Sequence, residues 1–317
     1  MYKNILVTGG AGFIGSHIVD KLIDKKYKVI VLDNLSTGLK KYLNPKAQFI
    51  KGDVRKISDI EKIFKNNSVD AVLHIAGQPS IITSFTNPEA DFATNFTGTV
   101  NMINLSLKYK VKRFLYASSM TVYGRAKKLP IKEEDPTVPI NYYGVAKYAA
   151  ERFLHITAEK HTGKTPFNVT SLRMFNVYGP RQSLTNPYQG VLAFFIGNVL
   201  RGEPITIYGD GKQSRDFAYI DDIAKIWVTT IENKKSFGKV FNISFGRETS
   251  IKVLAHEVIK ACGYDPSKYK IVHKEKRPGD ANSIKADITK AKTHLTFKPT
   301  YSLSKGLKET LKWAKNN

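Results

Sequence analysis

The chain has 317 residues, 42% of them hydrophobic and 24% charged. This length can bury a substantial core and suits one large domain or two modest ones. The one cysteine, Cys262, excludes an internal disulfide, so the composition predicts a protein of the reducing cytoplasm.

Hydrophobic segments argue against export and membrane insertion. Glycines interrupt the first apolar run from Gly9 onward, too early for the hydrophobic region of a secretory signal. The longest later run, residues 191–196, is far shorter than the roughly 20 apolar residues that a membrane helix needs. We therefore expect no membrane partner.

The net charge is +23, from 50 Lys and Arg against 27 Asp and Glu. Such a basic surface could bind nucleic acid, because it releases counterions from the phosphate backbone. The lysines are nevertheless scattered singly and in pairs, without a basic block, zinc-finger spacing or RNA-recognition motif. We expect a solvated lysine-rich surface and no specific nucleic-acid partner, although an acidic small substrate could benefit from its field.

Short apolar segments alternate with helical patterns in the first half of the chain. The apolar segments are typical of buried parallel strands, and they span residues 3–8, 28–33, 69–76 and 113–119. Between them, Ile14, Ile18 and Leu22 share one helix face, and residues 97–108 form another amphipathic pattern. This alternation predicts a doubly wound parallel α/β sheet of the Rossmann type.

The pattern changes after about residue 175, where prolines and the turn at 209–211 appear. A later helix and strand, at 223–231 and 240–244, are expected to return to the first sheet. We therefore predict a Rossmann domain packed closely against a smaller α/β substrate-binding domain. The first comprises residues 1–174 plus 214–244, and the second comprises residues 175–213 plus 245–317.

A glycine-rich turn separates the first predicted strand from the first helix. Gly9, Gly12 and Gly15 would allow a tight turn, close approach of a pyrophosphate and packing of the helix on the strand. Asp33 ends the next strand, where a carboxylate would bind the adenosine ribose and repel a ribose phosphate. The pattern predicts NAD rather than NADP, although Asp33 could instead only initiate a turn before Asn34.

Tyr143 and Lys147 lie four residues apart in a helix-forming stretch, so a phenol and an ammonium share one helix face. The same spacing to a lysine occurs at Tyr42, Tyr123, Tyr208, Tyr264 and Tyr301. Prolines, a glycine turn and a predicted loop exclude a helix at all of these except Tyr301, which lies outside the nucleotide-binding half. The other interpretation of the Tyr143 pair is an exposed aromatic beside a surface lysine.

The ammonium of Lys147 should favour the phenolate and so lower the pKa of Tyr143 from its usual value near 10, making a base. Ser118 and Ser119 end a predicted strand, where α/β folds place reacting groups. Either serine could hydrogen-bond the same alcohol oxygen, or could instead cap a helix or turn.

Further motifs follow in a fixed order, at residues 32–38, 52–54, 74–77, 95–99, 118–124, 173–180, 207–211, 215–217 and 277–280. Together with the glycine turn and the Tyr143 pair, this set resembles the extended branch of the short-chain dehydrogenase/reductase superfamily. That branch contains the NAD-dependent nucleotide-sugar epimerases and dehydratases, and the UDP-glucose 4-epimerases are nearest in pattern. The resemblance runs from residue 4 to the C-terminal helix.

The resemblance implies that NAD binds along the first half of the chain. The implied contacts are Gly9, Gly12, Phe13, Ile14, Gly15, Asp33, Asn34, Ser36, Thr37, Gly38, Asp53, Val54, Ala76, Gly77, Gln78, Asn95, Ser118, Tyr143, Lys147 and Phe175.

The resemblance also implies three catalytic residues. Tyr143 would accept the proton of a sugar hydroxyl, Lys147 would hold the nicotinamide ribose, and Ser119 matches the family's catalytic hydroxyl. Family dehydratases carry an Asp-Glu pair directly after this hydroxyl, and decarboxylases carry a glutamate at the second place. This chain has Met120 and Thr121 there, which can neither expel a hydroxyl nor act as a carboxylate base, so both reactions are disfavoured.

A nucleotide-sugar site is implied mainly in the C-terminal half. Its residues would be Ser84, Ser119, Asn176, Val191, Tyr208, Arg215, Arg277 and Asp280. Arg215 and Arg277 would bind the diphosphate, although Arg215 could instead pair with Asp216. Asp280 would bind the uridine ribose or form a turn. Ile284 falls where epimerases vary the size of a pocket wall, so the sugar stays open.

These features predict an NAD-dependent epimerase that inverts carbon 4 of a UDP-sugar, in pattern UDP-glucose and UDP-galactose, through a transient 4-keto intermediate. UDP-N-acetylhexosamine and UDP-glucuronate 4-epimerases would use the same residues, and a non-catalytic NAD-fold binding protein is the alternative from another class. The seven histidines show no metal-binding spacing, so no metal is expected. The resemblance implies a homodimer through the helices near Asn95 and Tyr143.

Overall fold

The computed structural model describes residues 2–186, 190–275 and 283–316. The strands are β1 (Asn4–Thr8), β2 (Lys28–Asp33), β3 (Gln48–Lys51), β4 (Ala71–His74), β5 (Arg113–Ser119), β6 (Asn168–Met174), β7 (Asn176–Tyr178), β8 (Ile205–Tyr208), β9 (Ser214–Tyr219), β10 (Lys239–Ile243), β11 (Glu248–Ser250) and β12 (Ile271–Lys274). The α-helices are α1 (Phe13–Asp24), α2 (Ile57–Asn66), α3 (Ile81–Thr86), α4 (Pro88–Phe92), α5 (Gly98–Lys108), α6 (Tyr142–Lys160), α7 (Val191–Leu200), α8 (Ile220–Ile231), α9 (Ile251–Ala261), α10 (Thr289–Leu295) and α11 (Leu303–Ala314).

A seven-stranded parallel sheet confirms the predicted doubly wound α/β fold. Its strand order is β10-β6-β5-β4-β1-β2-β3. Successive side chains of β1 point to opposite faces, with Ile5 and Val7 in the core beside α1 and Leu6 in the core beside α2. The order reverses between β1 and β4, and such a reversal opens a crevice at the carboxyl ends of the strands.

The remaining strands form smaller sheets. β9 pairs with β7 and β11 in a three-stranded sheet, and β8 pairs with β12. As expected, the helix after β9 packs against α1, and β10 returns to the large sheet beside β6. β9, which the predicted boundaries place with the first domain, therefore belongs to a smaller sheet, and the division into two domains stays a prediction.

The helical expectation for Tyr301 is wrong. Helix α11 begins after it, because the Ser302 side chain accepts the Lys305 amide hydrogen and caps the helix. The Tyr301 ring instead stacks on Tyr219, with 4.3 Å between the ring centroids. Tyr143 lies inside α6 with Lys147 one turn later, so this pair, unlike that of Tyr301, has the helical geometry that its spacing predicts.

Across residues 2–186, 190–275 and 283–316, none of the helices combines the length and apolar character needed to cross a bilayer.

Candidate active site

A cleft of about 670 Å³ opens at the carboxyl edge of the large sheet, where the strand order reverses. Its wall includes most of the residues predicted from the sequence: Gly9, Gly12, Phe13, Ile14, Gly15, Asp33, Asn34, Ser36, Thr37, Asp53, Val54, Ala76, Gly77, Ser118, Ser119, Tyr143, Phe175, Asn176 and Val191. Tertiary folding therefore brings together residues that are up to 182 positions apart (191 − 9).

The glycine turn leaves the first amides of α1 open to the cleft. Gly12 begins the helix without any side-chain cap, so the N–H groups of the first turn remain available. Gly9 has a φ of +71°, and a Cβ there would meet the Ala76 backbone nitrogen at 2.8 Å. A side chain on Gly15 would strike the Gly9 carbonyl oxygen. The turn thus presents an anion-binding helix terminus.

Asp33 forms the turn considered for it and still lines the cleft. One carboxylate oxygen accepts the Leu35 amide hydrogen at 2.8 Å and so forms a turn. The other accepts the Ala11 amide hydrogen at 2.9 Å, which ties β2 to the glycine turn. Each oxygen retains a further lone pair beside the cleft, where it can accept a ribose hydroxyl.

Asp53 lies farther along the same rim. Arg55 donates to both of its carboxylate oxygens, at 3.0 and 2.6 Å, and Asn34 donates to one of them at 3.0 Å. The Arg55 hydrogen bonds hold the pKa of Asp53 well below its usual range. This end of the cleft consequently carries a fixed anionic acceptor.

Helix α6 places Tyr143 in the cleft. The Asn141 side chain accepts the Gly144 amide hydrogen at 2.8 Å, so the helix begins at Tyr142 and Tyr143 lies in its first turn. Burial raises the pKa of Tyr143 to about 12, and a hydrogen bond with Ser119 opposes this shift. The predicted net lowering of this pKa is therefore wrong for the protein alone, because loss of water outweighs the favourable contacts.

Ser119 is oriented by a residue that sequence reasoning assigned no role. Its Oγ accepts both the amide hydrogen of Thr121, at 3.3 Å, and the hydroxyl hydrogen of Thr121, at 3.0 Å. A serine hydroxyl has two acceptor positions and one hydrogen, so Ser119 is left to donate that hydrogen to Tyr143 or to a substrate oxygen. The Ser-x-Thr spacing after a strand is the only sequence signal of this contact.

Lys147 lies one helical turn after Tyr143 and is 3% exposed. Burial lowers the pKa of its ammonium to about 7, while Asp91 and Glu151 oppose that shift. The ammonium lies 4.3 Å from the centroid of the Tyr116 ring. Within the described part of the chain no acceptor hydrogen-bonds Nζ, so its donors remain available beside Gly77 at the cleft.

Two predicted residues lie just behind the wall. Asn95 is fully buried, and its side chain accepts the Gln78 amide hydrogen at 3.1 Å and donates to the Gln78 carbonyl at 3.0 Å. Gly38 packs against Ala11, which a Cβ would meet at 2.9 Å. These residues support the cleft from behind and are not among those that line it.

Ser84, Tyr208 and Arg215 are not brought to the described cleft wall. Ser84 is buried and donates to the Ile81 carbonyl at 2.6 Å, which turns its hydroxyl into its own helix. Tyr208 ends β8 in the two-stranded sheet, and Arg215 is buried in β9 and donates to the Ser214 carbonyl.

Asp216, the alternative partner of Arg215, accepts the amide hydrogens of Gly246 and Ala286. Arg277 and Asp280 lie outside the described residues. Ile284 is buried in the core.

Arg181 lines the cleft and is a functional candidate that no sequence pattern predicts. Among the cleft-lining residues that the structure describes, it is the only lysine or arginine. Its guanidinium lies 2.8 Å from the Asp20 carboxylate of α1 and 5.7 Å from the Tyr42 ring centroid. No local periodicity marks it, because its position depends on the segment after β7 folding back onto α1.

The described residues contain no group of three His, Cys, Asp or Glu side chains that could hold a metal. His74 is fully buried, with hydrogen bonds to Thr8 at 2.8 Å and Thr99 at 3.0 Å. Its pKa is lowered to about 3 by burial, so this histidine stays neutral in the core.

Unused donors and acceptors at the cleft fit a dinucleotide. The open amides of α1 suit a pyrophosphate, the Asp33 carboxylate can accept a hydrogen bond from a ribose hydroxyl, and the Lys147 ammonium beside Gly77 can donate one. Ser118 is 2% exposed, and its Oγ has no hydrogen-bond partner within the described structure. Buried polar atoms without partners are rare in folded proteins, so this cleft is shaped for a polar ligand.

The sequence model described as "NAD dependent epimerase/dehydratase family" matches residues 5–244. The chain belongs to this family. Its cofactor is accordingly NAD, and it is an enzyme.

Three family members illustrate the range of relatives. The solved UDP-glucose 4-epimerase of Thermotoga maritima, in complex with UDP-glucose, is 39% identical with a TM-score of 0.93 and covers 99% of both chains. The UDP-N-acetylglucosamine 4-epimerase of Methanobrevibacter ruminantium is 34% identical with a TM-score of 0.91 and covers 99% of both. A UDP-N-acetyl-alpha-D-glucosaminuronate decarboxylase of Bacillus cytotoxicus is 34% identical over 330 residues, which are 99% of this chain and 98% of that protein.

We predict that Gly15→Ala removes most of the NAD that the purified protein retains. The new Cβ would meet backbone atoms of Gly9 and Gly10, which cannot rotate away, so the turn must open. Overpacking of this kind should also lower the free energy of unfolding by about 1–3 kcal/mol. The measurements are the nucleotide released on denaturation and a urea titration.

Gly163→Ala is the matched control, because the atoms nearest to its Cβ belong to the His161 side chain and not to backbone. Equal NAD content in the Gly15 variant and this control would contradict the assignment of the turn.

Proposed function

We propose that the protein is an epimerase that inverts carbon 4 of a UDP-sugar, interconverting UDP-glucose and UDP-galactose through a transient 4-keto sugar. The observation that carries the proposal is the Ser119 and Tyr143 pair, which faces the cleft beside Met120 and Thr121. The only carboxylates among the described lining residues are those of Asp33, which ends β2, and Asp53, which follows β3. Oxidation at this pair therefore lacks the acid that a dehydratase needs.

Each residue of the pair has a defined part in the proton transfer. Tyr143, as the phenolate, would accept the proton of the carbon-4 hydroxyl and later return it to the carbon-4 oxygen, when the hydride is added to the other face of the 4-keto sugar. Ser119 would donate its hydrogen to the reacting oxygen, because Thr121 fills both of its acceptor positions. When bound, NAD supplies the acceptor and then the donor of the hydride at carbon 4.

Two positive fields favour the phenolate of Tyr143. The protonated Lys147 is one turn away on α6, and the N-terminal end of α6 directs its dipole towards the first turn. The base form requires loss of a proton from a group whose pKa burial has raised. Activity should therefore rise with pH until Lys147 loses its own proton.

A neutral sugar suits the cleft better than a uronic acid. Apart from Asp33, Asp53 and Arg181, the described side chains that line the cleft are apolar or uncharged, and they include Pro79, Ile81, Ile82, Thr94, Met120, Thr121 and Leu192. A carboxylate buried there would need a cation, and Arg181, the only one among the described lining residues, is paired with Asp20. This favours UDP-glucose over UDP-glucuronate, whereas N-acetylated sugars stay as the alternative substrate.

The decisive experiment incubates the purified protein with UDP-glucose, UDP-galactose, UDP-N-acetylglucosamine and UDP-glucuronate and separates the products by chromatography. We expect conversion between the first two without added NAD, and loss of turnover in Tyr143→Phe with NAD still bound. Conversion of the N-acetylated sugar alone would select that alternative. No conversion of any sugar would favour the non-catalytic binding protein and reject the epimerase.

Thr121→Val should lower kcat by about tenfold, because it removes one of the two donors that orient Ser119. It should also move the acidic limb of the pH profile to higher pH, since a less well oriented Ser119 stabilises the Tyr143 phenolate less. Thr121→Ser keeps the hydroxyl donor and is the control. Identical rates and identical acidic limbs in the two variants would exclude this role of Thr121.

We also propose a homodimer in the cytoplasm. The single cysteine suits a reducing compartment. Phe92 of α4 and Val145 and Ile156 of α6 are exposed by 42%, 43% and 45%, and they lie on two helices that pack together. A second copy would cover this apolar face.

Light scattering should report a dimer for the native chain and a monomer for Ile156→Glu. Val253→Glu, at an exposed apolar residue of α9, is the control and should keep the native mass. A monomeric native chain would remove the dimer proposal.

A further inference from the structure

Two cations and two carboxylates are buried on or beside α6. Lys147, Arg173, Glu151 and Asp91 are exposed by 3%, 5%, 1% and 1%. Buried charges are stable only when each has a compensating partner, so the four must be sorted into pairs. The pairing decides which group keeps the proposed catalytic ammonium charged.

Arg173 and Glu151 form one pair. Arg173 donates to the two Glu151 oxygens at 3.0 and 2.6 Å, in a bidentate arrangement. Arg173 also donates to the Tyr123 hydroxyl at 2.7 Å and to the Glu133 carbonyl at 3.1 Å. Glu151 is thus committed to Arg173, although it lies one turn after Lys147 on the same helix.

Asp91 is the remaining carboxylate. One of its oxygens accepts from the Gln78 side chain at 2.7 Å and from the Asn95 side chain at 2.9 Å. The other oxygen is buried without a hydrogen-bond partner in the described part of the chain. In the sequence Asp91 looks like an ordinary acidic residue in the first turn of α4, but its side chain is directed into the protein.

Asn95, which is hydrogen-bonded to this carboxylate, also lies close to the lysine. A Cβ on Gly77 would lie 2.7 Å from the Asn95 Oδ1 and 3.8 Å from the Lys147 Nζ, so Asn95, Gly77 and Lys147 meet at one point of the cleft wall. The Lys147 ammonium has no hydrogen-bond acceptor among the described residues, while Asp91 has an unused oxygen. The ammonium can therefore supply the positive partner that the carboxylate lacks, and the carboxylate can supply the negative one.

We propose that Asp91 is the counter-ion of Lys147 and a positioning residue of the active site. It keeps the ammonium charged. Through its hydrogen bonds with Asn95 and Gln78, it also fixes the backbone segment that lies beside the ammonium. The pairing of the two charges rests on their shared position around Asn95 and Gly77, whereas the part of Asp91 in catalysis rests on the proposed epimerase function.

The other groups around Lys147 cannot take this place. Tyr143 on α6 and Tyr116 on β5 are neutral phenols, because burial raises the pKa of each. His74 on β4 is neutral, and its pKa is lowered mainly by burial. Glu151 is held by Arg173. Loss of the Asp91 charge would therefore leave burial to lower the pKa of Lys147 further.

A double-mutant cycle on stability, without NAD or substrate, tests whether the two charges are coupled. Asp91→Asn and Lys147→Met should each lower the urea midpoint, because each leaves one buried charge without its partner. The double variant should lose clearly less than the sum of the two shifts. Additive shifts would overturn the counter-ion proposal, whether or not the protein proves to be an epimerase.

Asp222→Asn provides the matched control for this cycle. Asp222 is another carboxylate with 3% exposure, and it accepts from Thr300 and Tyr301 near the C-terminus. Combined with Lys147→Met, it should give additive shifts. A non-additive result as large as that of Asp91 would show that the coupling is not specific and would overturn the proposal.

The pH dependence of kcat tests the catalytic part. Asp91 raises the pKa of both Lys147 and Tyr143, so Asp91→Asn should move both limbs of the profile to lower pH, by roughly one unit. Weakened packing would reduce the rate without moving the limbs. If the limbs of the pH profile do not move while the stability cycle is non-additive, Asp91 is the counter-ion of Lys147 but has no part in catalysis.

Discussion

Reversal of the strand order between β1 and β4 is the constraint on which the whole site depends. Because all seven strands are parallel, their carboxyl ends meet at one edge, and the reversal leaves a crevice there instead of a packed connection. The glycine turn follows β1, Asp33 ends β2, Gly77 follows β4, and Ser119 ends β5. Residues from four separate segments consequently share one cleft.

Loss of water governs the chemistry inside this cleft. Burial raises the pKa of Tyr143 and lowers the pKa of Lys147, so both side chains are driven towards their neutral forms. Charged forms persist only through local partners, and the low local dielectric makes each partner count. Thr121 and Asp91, which do not themselves exchange a proton with the sugar in our scheme, therefore matter through the residues that they hold.

Much of this arrangement was predictable because it depends on local patterns. Buried parallel strands have short apolar runs, and a phosphate-binding turn needs glycines at fixed places, so β1, β2, β5 and the turn were found. The pattern at Tyr301 wrongly predicts a helix there, because a serine cap starts the helix two residues later. Ser84, Tyr208 and Arg215 were expected at the site through family resemblance, which does not specify side-chain direction.

The sequence by itself determined the fold class, the family and the Tyr143 and Lys147 pair, because strand periodicity, glycine spacing and helix spacing are local properties of the chain. Only the tertiary structure decided which charges are neighbours, since Asn95, which is hydrogen-bonded to Asp91, meets Gly77 and Lys147 across three segments. It also reversed the expected direction of the Tyr143 pKa shift, because burial depends on what packs around the phenol and not on the residues beside it in sequence.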